Sequence, residues 1–247
     1  MARNDLTNAE KMAHTYNAFF NEYHSNSPAM YDLVRRRYAG VMSKHMPGDR
    51  TARLLDIGCG TGFFLNFALR SGFTNVCGID LSPGQVEAAR KACPGAQVQQ
   101  AEALEYLGSR KEQFDFISMN HMLEHVPKSD VPELLAAVRD ALTPGGRLAI
   151  TVPNGEHLLA PRTRYRDFTH EISYTVPSLI QLLGNAGFDK PSFFDDNPRI
   201  RLLAYVRIFL ERWLHRGLYR LCGLPAPKVT TPGLVTVADK PTDSVGK

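Results

Sequence analysis

Short apolar runs and amphipathic stretches alternate along this chain from residue 53 onward. Residues 53–57, RLLDI, form a strand ending in a glycine-rich turn, and 63–69 follow with helical spacing. A second strand covers 75–79 and ends at Asp80; the helix after it, 82–90, has Ser82 as its cap and Pro83 at its first helical position. The alternation continues with strand 96–100, helix 103–109, strand 114–119, helix 131–142 stopped by Thr-Pro-Gly-Gly, and strand 147–152. Strands separated by helices of this length need crossover connections, so the pattern predicts a parallel sheet covered on both faces, a doubly wound α/β fold. A polar loop (154–176), a helix (177–186), a strand (191–195), a basic amphipathic stretch and a last strand (233–238) complete the pattern. Ahead of it, Tyr16, Phe19, Phe20, Tyr31, Val34 and Tyr38 among polar neighbours predict one or two N-terminal helices. The expected layout is a single domain with a helical cap (1–47), a core (48–155), a segment beside it (156–198), a basic insertion (199–226), the last strand (227–240) and a disordered tail (241–247).

Composition narrows the setting. With 247 residues and 43% apolar side chains the chain can bury a full core. Cys59, Cys77, Cys93 and Cys222 lie far apart without a CxxC pair, the pattern of free thiols in a reducing compartment. No run reaches the ~20 apolar residues of a spanning helix, and the N-terminal residues lack the apolar core of a signal peptide, so the expected location is the cytoplasm. A net charge of +4 is too mild to imply nucleic acid.

That charge is concentrated. Residues 199–222 hold six arginines against Glu211, a local +5, which leaves −1 for the rest. Stepped at about 100° per residue, Leu203, Val206, Phe209, Leu210, Trp213, Leu214 and Leu221 share one face, with Arg201, Glu211, Arg212, His215 and Arg216 opposite; Ile208 and Arg220 break the pattern. Such a helix packs on its own domain, covers a second copy as a homodimer, or lies peripherally in the anionic inner face of a membrane.

Gly58-Cys59-Gly60-Thr61-Gly62 stands where a strand passes to a helix, a place where bare backbone N–H groups let a ligand approach. The dinucleotide pattern G-x-G-x-x-G is not met, because Phe63 stands where its third glycine belongs, and no Gly-Lys-Ser/Thr follows for a P-loop. Asp80, 22 residues beyond Gly58, is placed to accept hydrogen bonds from ribose hydroxyls; as a plain helix-terminal acid it would instead serve Ser82. Loop and acid together imply a ligand containing adenosine.

LLDIGCGTGFF (54–64), GIDLS (78–82), AEA (101–103), FDFISMNHMLEHV (114–126) and LTPGGRLAI (142–150) resemble, in order and spacing, the motifs of class I S-adenosylmethionine-dependent methyltransferases. The resemblance spans about residues 50–155 and implies the seven-stranded, mainly parallel Rossmann-like sheet of that family. It places Asp56, Gly58, Gly60 and Gly62 near the methionine part of S-adenosylmethionine, Asp80 and Leu81 at the ribose, Glu102 and Ala103 beside adenine, and Asn120 over the ligand. Glu102 stands where Asp is more usual.

His121, Glu124 and His125 share one face if their segment is helical, with metal-ligand spacing. The segment resembles the Glu-x-x-Glu-His of ubiquinone-pathway O-methyltransferases, which implies a divalent ion; His121 in place of the first Glu disfavours magnesium. Three roles stay open here: a metal site, which is not the favoured one; Glu124 and His125 bracing the loop; or His121 as a general base, alone or with a carboxylate. RYRDFTHEISYT (164–175) resembles the segment after strand five in bacterial methyltransferases acting on sugars or lipid-linked saccharides. The catalytic candidates are therefore His121, His125, Asp167 and His170, and the substrate-binding candidates Arg162, Arg164, Tyr165 and Arg166. The expected activity is O-methylation of a sugar hydroxyl, against two rivals: methylation of a quinone precursor, phenol or carboxylate, and a non-catalytic ligand-binding or membrane-tethered protein.

Overall fold

The computed structural model describes residues 26–189, 191–196 and 202–242, with side chains omitted at 202–205. The expectations for Tyr16, Phe19, Phe20, Arg199, Arg201, the Leu203 side chain and the tail from 243 lie outside the described residues. The elements are α1 (Pro28–Val41), β1 (Arg53–Ile57), α2 (Phe63–Arg70), β2 (Asn75–Asp80), α3 (Pro83–Ala92), β3 (Gln97–Gln100), α4 (Ala103–Leu107), β4 (Phe114–Asn120), α5 (Val131–Ala141), β5 (Leu142–Pro153), α6 (Ala160–Arg166), α7 (Val176–Asn185), β6 (Ser192–Asp195), α8 (Leu202–Leu221) and β7 (Gly233–Asp239).

Seven strands pair in the order β3-β2-β1-β4-β5-β7-β6. The first five are parallel, and β7 runs antiparallel to both β5 and β6. The chain works outward from β1 to β3 and then returns to β4 on the other side of β1, so the connections leave in opposite directions at the carboxyl ends of β1 and β4. In open α/β sheets that divergence opens the ligand crevice.

Both faces of the sheet are buried at its centre, as parallel strands require, while the edge strands β3 and β6 are more exposed. Leu55, Ile57, Ile117, Met119, Leu148, Ile150 and Val152 pack with α5 and α7 on one side. Leu54, Phe116 and Ala149 pack with α1, α2 and α3 on the other. Period-two alternation then puts Asp56 and Ser118, neighbours in register, on the α1 face at the sheet centre.

Several local expectations differ in detail. The polar loop after β5 contains a short helix, α6, behind Pro161. β5 begins at Leu142, directly after α5, and residues 143–146 bulge out of its ladder with β4, with Gly145 at φ 74°. Ser82 occupies the cap position of α3 but makes no capping bond; Asp80 Oδ1 accepts from the Ser82 N–H instead. The segment 121–125 is not one helix: His121 is left-handed (φ 52°) and only Leu123–His125 form a 3-10 turn. His121 and His125 therefore do not share a helical face.

Candidate active site

A cavity of about 950 Å³ opens at the carboxyl ends of β1, β2 and β4. Asp56, Gly58, Gly60, Asp80, Leu81, Glu102, Ala103 and Asn120 all line it. Gly58 (φ 69°) must be glycine twice over, since a Cβ there would come 2.5 Å from Met122 Cγ. Gly62 (φ 89°) is a correction to the ligand set: it is not in the wall, and a Cβ on it would press on Cys93 Sγ (3.1 Å) and Ala89 Cβ (3.3 Å). Its role is to let α2 and α3 approach.

Asp80 is the hub of the glycine turn. Its Oδ2 accepts from the Gly60 N–H (2.9 Å) and its Oδ1 from the Ser82 N–H (2.8 Å), and burial raises its pKa against those bonds. Asp56 is 2% exposed. Burial pushes its pKa up to about 7, although Ser118 Oγ (2.6 Å) and Asn120 Nδ2 (3.3 Å) both donate to Oδ1. Glu102 caps α4 through the Glu105 N–H (2.8 Å) and faces the cavity from that position.

The residues fit an adenosine-bearing ligand on a further ground. Thr61 Oγ1, Ser82 Oγ and both amide atoms of Gln85 are buried without a hydrogen-bond partner among the described residues, and all three side chains line the cavity. Leaving such groups unmet costs roughly 1–3 kcal/mol each, so polar partners beside the glycine turn would be favourable. Sequence reasoning missed them. The signal was Ser82-x-x-Gln85, the spacing of a capping box whose bonds are not made. Sequence reasoning foresaw an N-terminal helix but not the part α1 takes in the cavity wall, which Val34, Arg37 and Tyr38 line: the Tyr31 hydroxyl donates to Thr61 O (2.6 Å), and Arg37 pairs with Asp196.

On the opposite wall stand His121, Glu124, His125, Arg166, Asp167, Thr169 and His170. His121 Nδ1 lies 3.4 Å from Glu124 Oε1, and Glu124 is 1% exposed with Oε2 unpartnered among the described residues. His125 Nδ1 meets Thr169 Oγ1 at 2.7 Å, and that hydroxyl donates to Asp167 Oδ1 at 2.6 Å. Burial lowers the His125 pKa, with Glu124 opposing and His170 assisting, so its imidazole is neutral near pH 7. For Asp167, burial is overcome by the Thr169 bonds and the two histidines, and the net shift is downward.

The metal-capable group among the described residues is Glu124, His125 and His170, whose donor atoms lie within 4.8 Å of one another. His170 thus replaces His121 in the set expected from spacing, because the left-handed backbone turns His121 off the helical path. Arg162, Arg164 and Tyr165 do not line the cavity. Arg164 donates to Glu171 O (2.9 Å) and lies over the exposed Tyr165 ring, so of the four expected substrate residues only Arg166 reaches the wall.

Residues 23–191 match the family model described as a methyltransferase domain. The chain is 32% identical over 139 residues to the ubiquinone biosynthesis O-methyltransferase of Aeromonas salmonicida, covering 55% of this chain and 54% of that one. It is also 32% identical over 146 residues to the trans-aconitate 2-methyltransferase of Paracidovorax citrulli, covering 57% and 55%. Each match spans about half the length of the curated relative. A SAM-dependent methyltransferase from Archaeoglobus fulgidus superposes with a TM-score of 0.67 at 22% identity, covering 91% of this chain and 100% of that one. With its sheet order, its glycine turn and acid at the switch point, and a family match over more than half its length, this chain belongs to the class I S-adenosylmethionine-dependent methyltransferases.

Proposed function

We propose that this protein transfers a methyl group to a hydroxyl oxygen, with His121 and Glu124 taking the hydroxyl proton. The observation that carries this reading is His121, a histidine held at positive φ on the cavity wall with Nδ1 3.4 Å from a buried carboxylate. With Nδ1–H turned to Glu124, Nε2 is the basic nitrogen. As it accepts the proton the imidazolium forms beside a carboxylate, which favours the transfer. S-adenosylmethionine, when bound, supplies a sulfonium methyl group that a nucleophile displaces in line. Asp80, Asn120, Glu102 and the glycine turn hold and orient the donor, while Tyr38, Val126 and Leu134 exclude water. Arg166, Asp167 and His170 offer donors and acceptors suited to a molecule rich in hydroxyls. On this reading the acceptor is a saccharide, nucleotide-linked, lipid-linked or polymeric, and the enzyme works in the cytoplasm.

A second reading, a phenolic quinone precursor as acceptor, is favoured by the relatedness to the Aeromonas enzyme and by the grouping of Glu124, His125 and His170. Those residues would hold a divalent ion, which would polarise the acceptor oxygen there. Incubating the protein with methyl-labelled S-adenosylmethionine and a panel of saccharide and phenolic acceptors, followed by mass spectrometry, separates the readings. Methylated saccharide is the expected product. Methylated phenol alone, with activity lost to a chelator and restored by a divalent ion, selects the second reading; donor binding without transfer to any acceptor removes both.

A further inference from the structure

The helix α8 packs on the protein with its polar face inward. Among residues 206–221 the buried ones are Ile208 and His215, and the inward polar side chains bond to the protein: Arg212 pairs with Asp195, Glu211 Oε1 with His157 Nε2 (3.0 Å), and Glu156 O accepts from Tyr219 and meets His215 Nε2, each at 2.9 Å. These contacts fix the rotation of the helix. The opposite arc, centred on Val206 and Leu210, is exposed and almost wholly apolar: Phe209 is 62%, Trp213 71% and Leu221 83% exposed, with Leu214 beside them. This reverses the usual arrangement of a surface helix, whose apolar stripe faces the core.

We propose that this outward face of α8 is a docking surface for an anionic lipid bilayer. Charge complementarity selects that occupant. Stepped at about 100° per residue, Arg207 borders the apolar arc on one side, Arg216 on the other, and Arg220 falls between Phe209 and Trp213. All three are exposed and form no ion pair among the described residues. The only carboxylate of the helix, Glu211, is turned inward to His157. A second copy seated on this face would bring arginines against arginines with no acid on either helix to answer them. A bilayer with anionic headgroups supplies both needs, since acyl chains take the apolar arc and phosphates meet the guanidinium groups at its edges. No described helix is long and apolar enough to cross a membrane, so the contact lies in the interface plane. The same bonds to Glu156 and His157 tie α8 to the loop after β5, which carries Arg166, Asp167 and His170 into the cavity wall. The inference rests on the placement of α8 and is independent of the acceptor.

Trp213 is the single tryptophan of the chain, so its fluorescence reads this surface directly. Phosphatidylglycerol–phosphatidylcholine vesicles are expected to shift its emission to the blue. Brominated acyl chains should then quench it, added salt should weaken the binding, and pure phosphatidylcholine should leave the emission unchanged. L210S/L214S keeps the probe and should abolish the shift; R207E/R216E/R220E should lower partitioning at least ~10-fold. Calorimetric binding of S-adenosylmethionine, unchanged in both variants, shows that they fold. The proposal is overturned by an unshifted emission with anionic vesicles in protein that binds S-adenosylmethionine, or by equal binding to pure phosphatidylcholine. It is equally overturned by a blue shift without lipid that follows protein concentration and coincides with a dimer in ultracentrifugation.

Discussion

Asp56 is a carboxylate that the sheet has taken out of water, and its pKa of about 7 has two consequences. Because the folded value lies above the ordinary one, the stability it contributes is present at low pH and lost as pH rises through about 7. A cationic ligand beside it reverses the preference and favours the carboxylate. The affinity for S-adenosylmethionine is therefore expected to rise toward pH 7 and then level off, with protons released on binding below that point. Calorimetry in buffers of different ionisation enthalpy checks this, and a flat profile would separate Asp56 from the ligand's charge. Asp80→Ala should weaken the same binding by roughly 1–3 kcal/mol, through the lost acceptor and the lost bonds to the Gly60 and Ser82 N–H groups. His121→Ala should lower turnover at least ~10²-fold with donor affinity nearly intact, measured by single-turnover kinetics; full activity would remove it as the base. Asp80 was legible because it ends a strand whose apolar run is plain, whereas Asp56, inside β1, and Glu102, after the polar β3, came from the family resemblance. Tyr38, Thr61 and Gln85 were not, since their part in the cavity depends on how α1 and α3 approach the glycine turn.

At the scale of elements, periodicity foretold β1 to β4 and their helices to within two residues, since β1, β2 and β4, buried on both faces, leave apolar runs; β3 is polar, and β5 starts at Leu142 rather than 147. It misjudged 121–125. Helical spacing on paper does not survive a left-handed residue at position 121, whose N–H is held by Thr151 O (2.8 Å) at the end of β4. For α8 the two faces were visible in the sequence, but not which one packs. Apolar burial would have turned Trp213 and Leu214 inward; instead the Asp195 carboxylate on β6 and His157 and the Glu156 carbonyl in the loop after β5 collect the polar face. His215, fully buried with Nε2 on Glu156 O, is the test of that stitching. His215→Ala should lower stability by about 1–3 kcal/mol, read as a lower midpoint in chemical denaturation, because Glu156 O loses a partner and a void forms. An unchanged midpoint would mean that α8 is not held by its polar face.

For the whole molecule, the alternation of strands and helices implied a parallel, doubly wound sheet and placed the last two strands, and the resemblance implied that all seven join one sheet. The role of the chain ahead of β1 was hidden, since an amphipathic helix does not announce which surface it covers. In the structure α1 lines the cavity with Val34, Arg37, Tyr38 and Val41 and is fastened at two places. The Tyr31 hydroxyl holds the carbonyl of Thr61 in the glycine turn, and Arg37 holds Asp196 just after β6. Next to Arg37, Tyr38 packs against Phe64 and Phe67 of α2. On an exit path past α1 these two fastenings would have to break, which would lengthen the residence time of a ligand. Tyr31→Phe with Arg37→Ala is therefore expected to speed S-adenosylmethionine dissociation in stopped-flow measurements. Amide exchange should quicken in α1 and stay slow in β1 and β4, whose pairing the changes do not touch. Faster exchange throughout the sheet would instead make α1 part of the cooperative core, and unchanged dissociation would show that the ligand leaves by a path that does not disturb the helix.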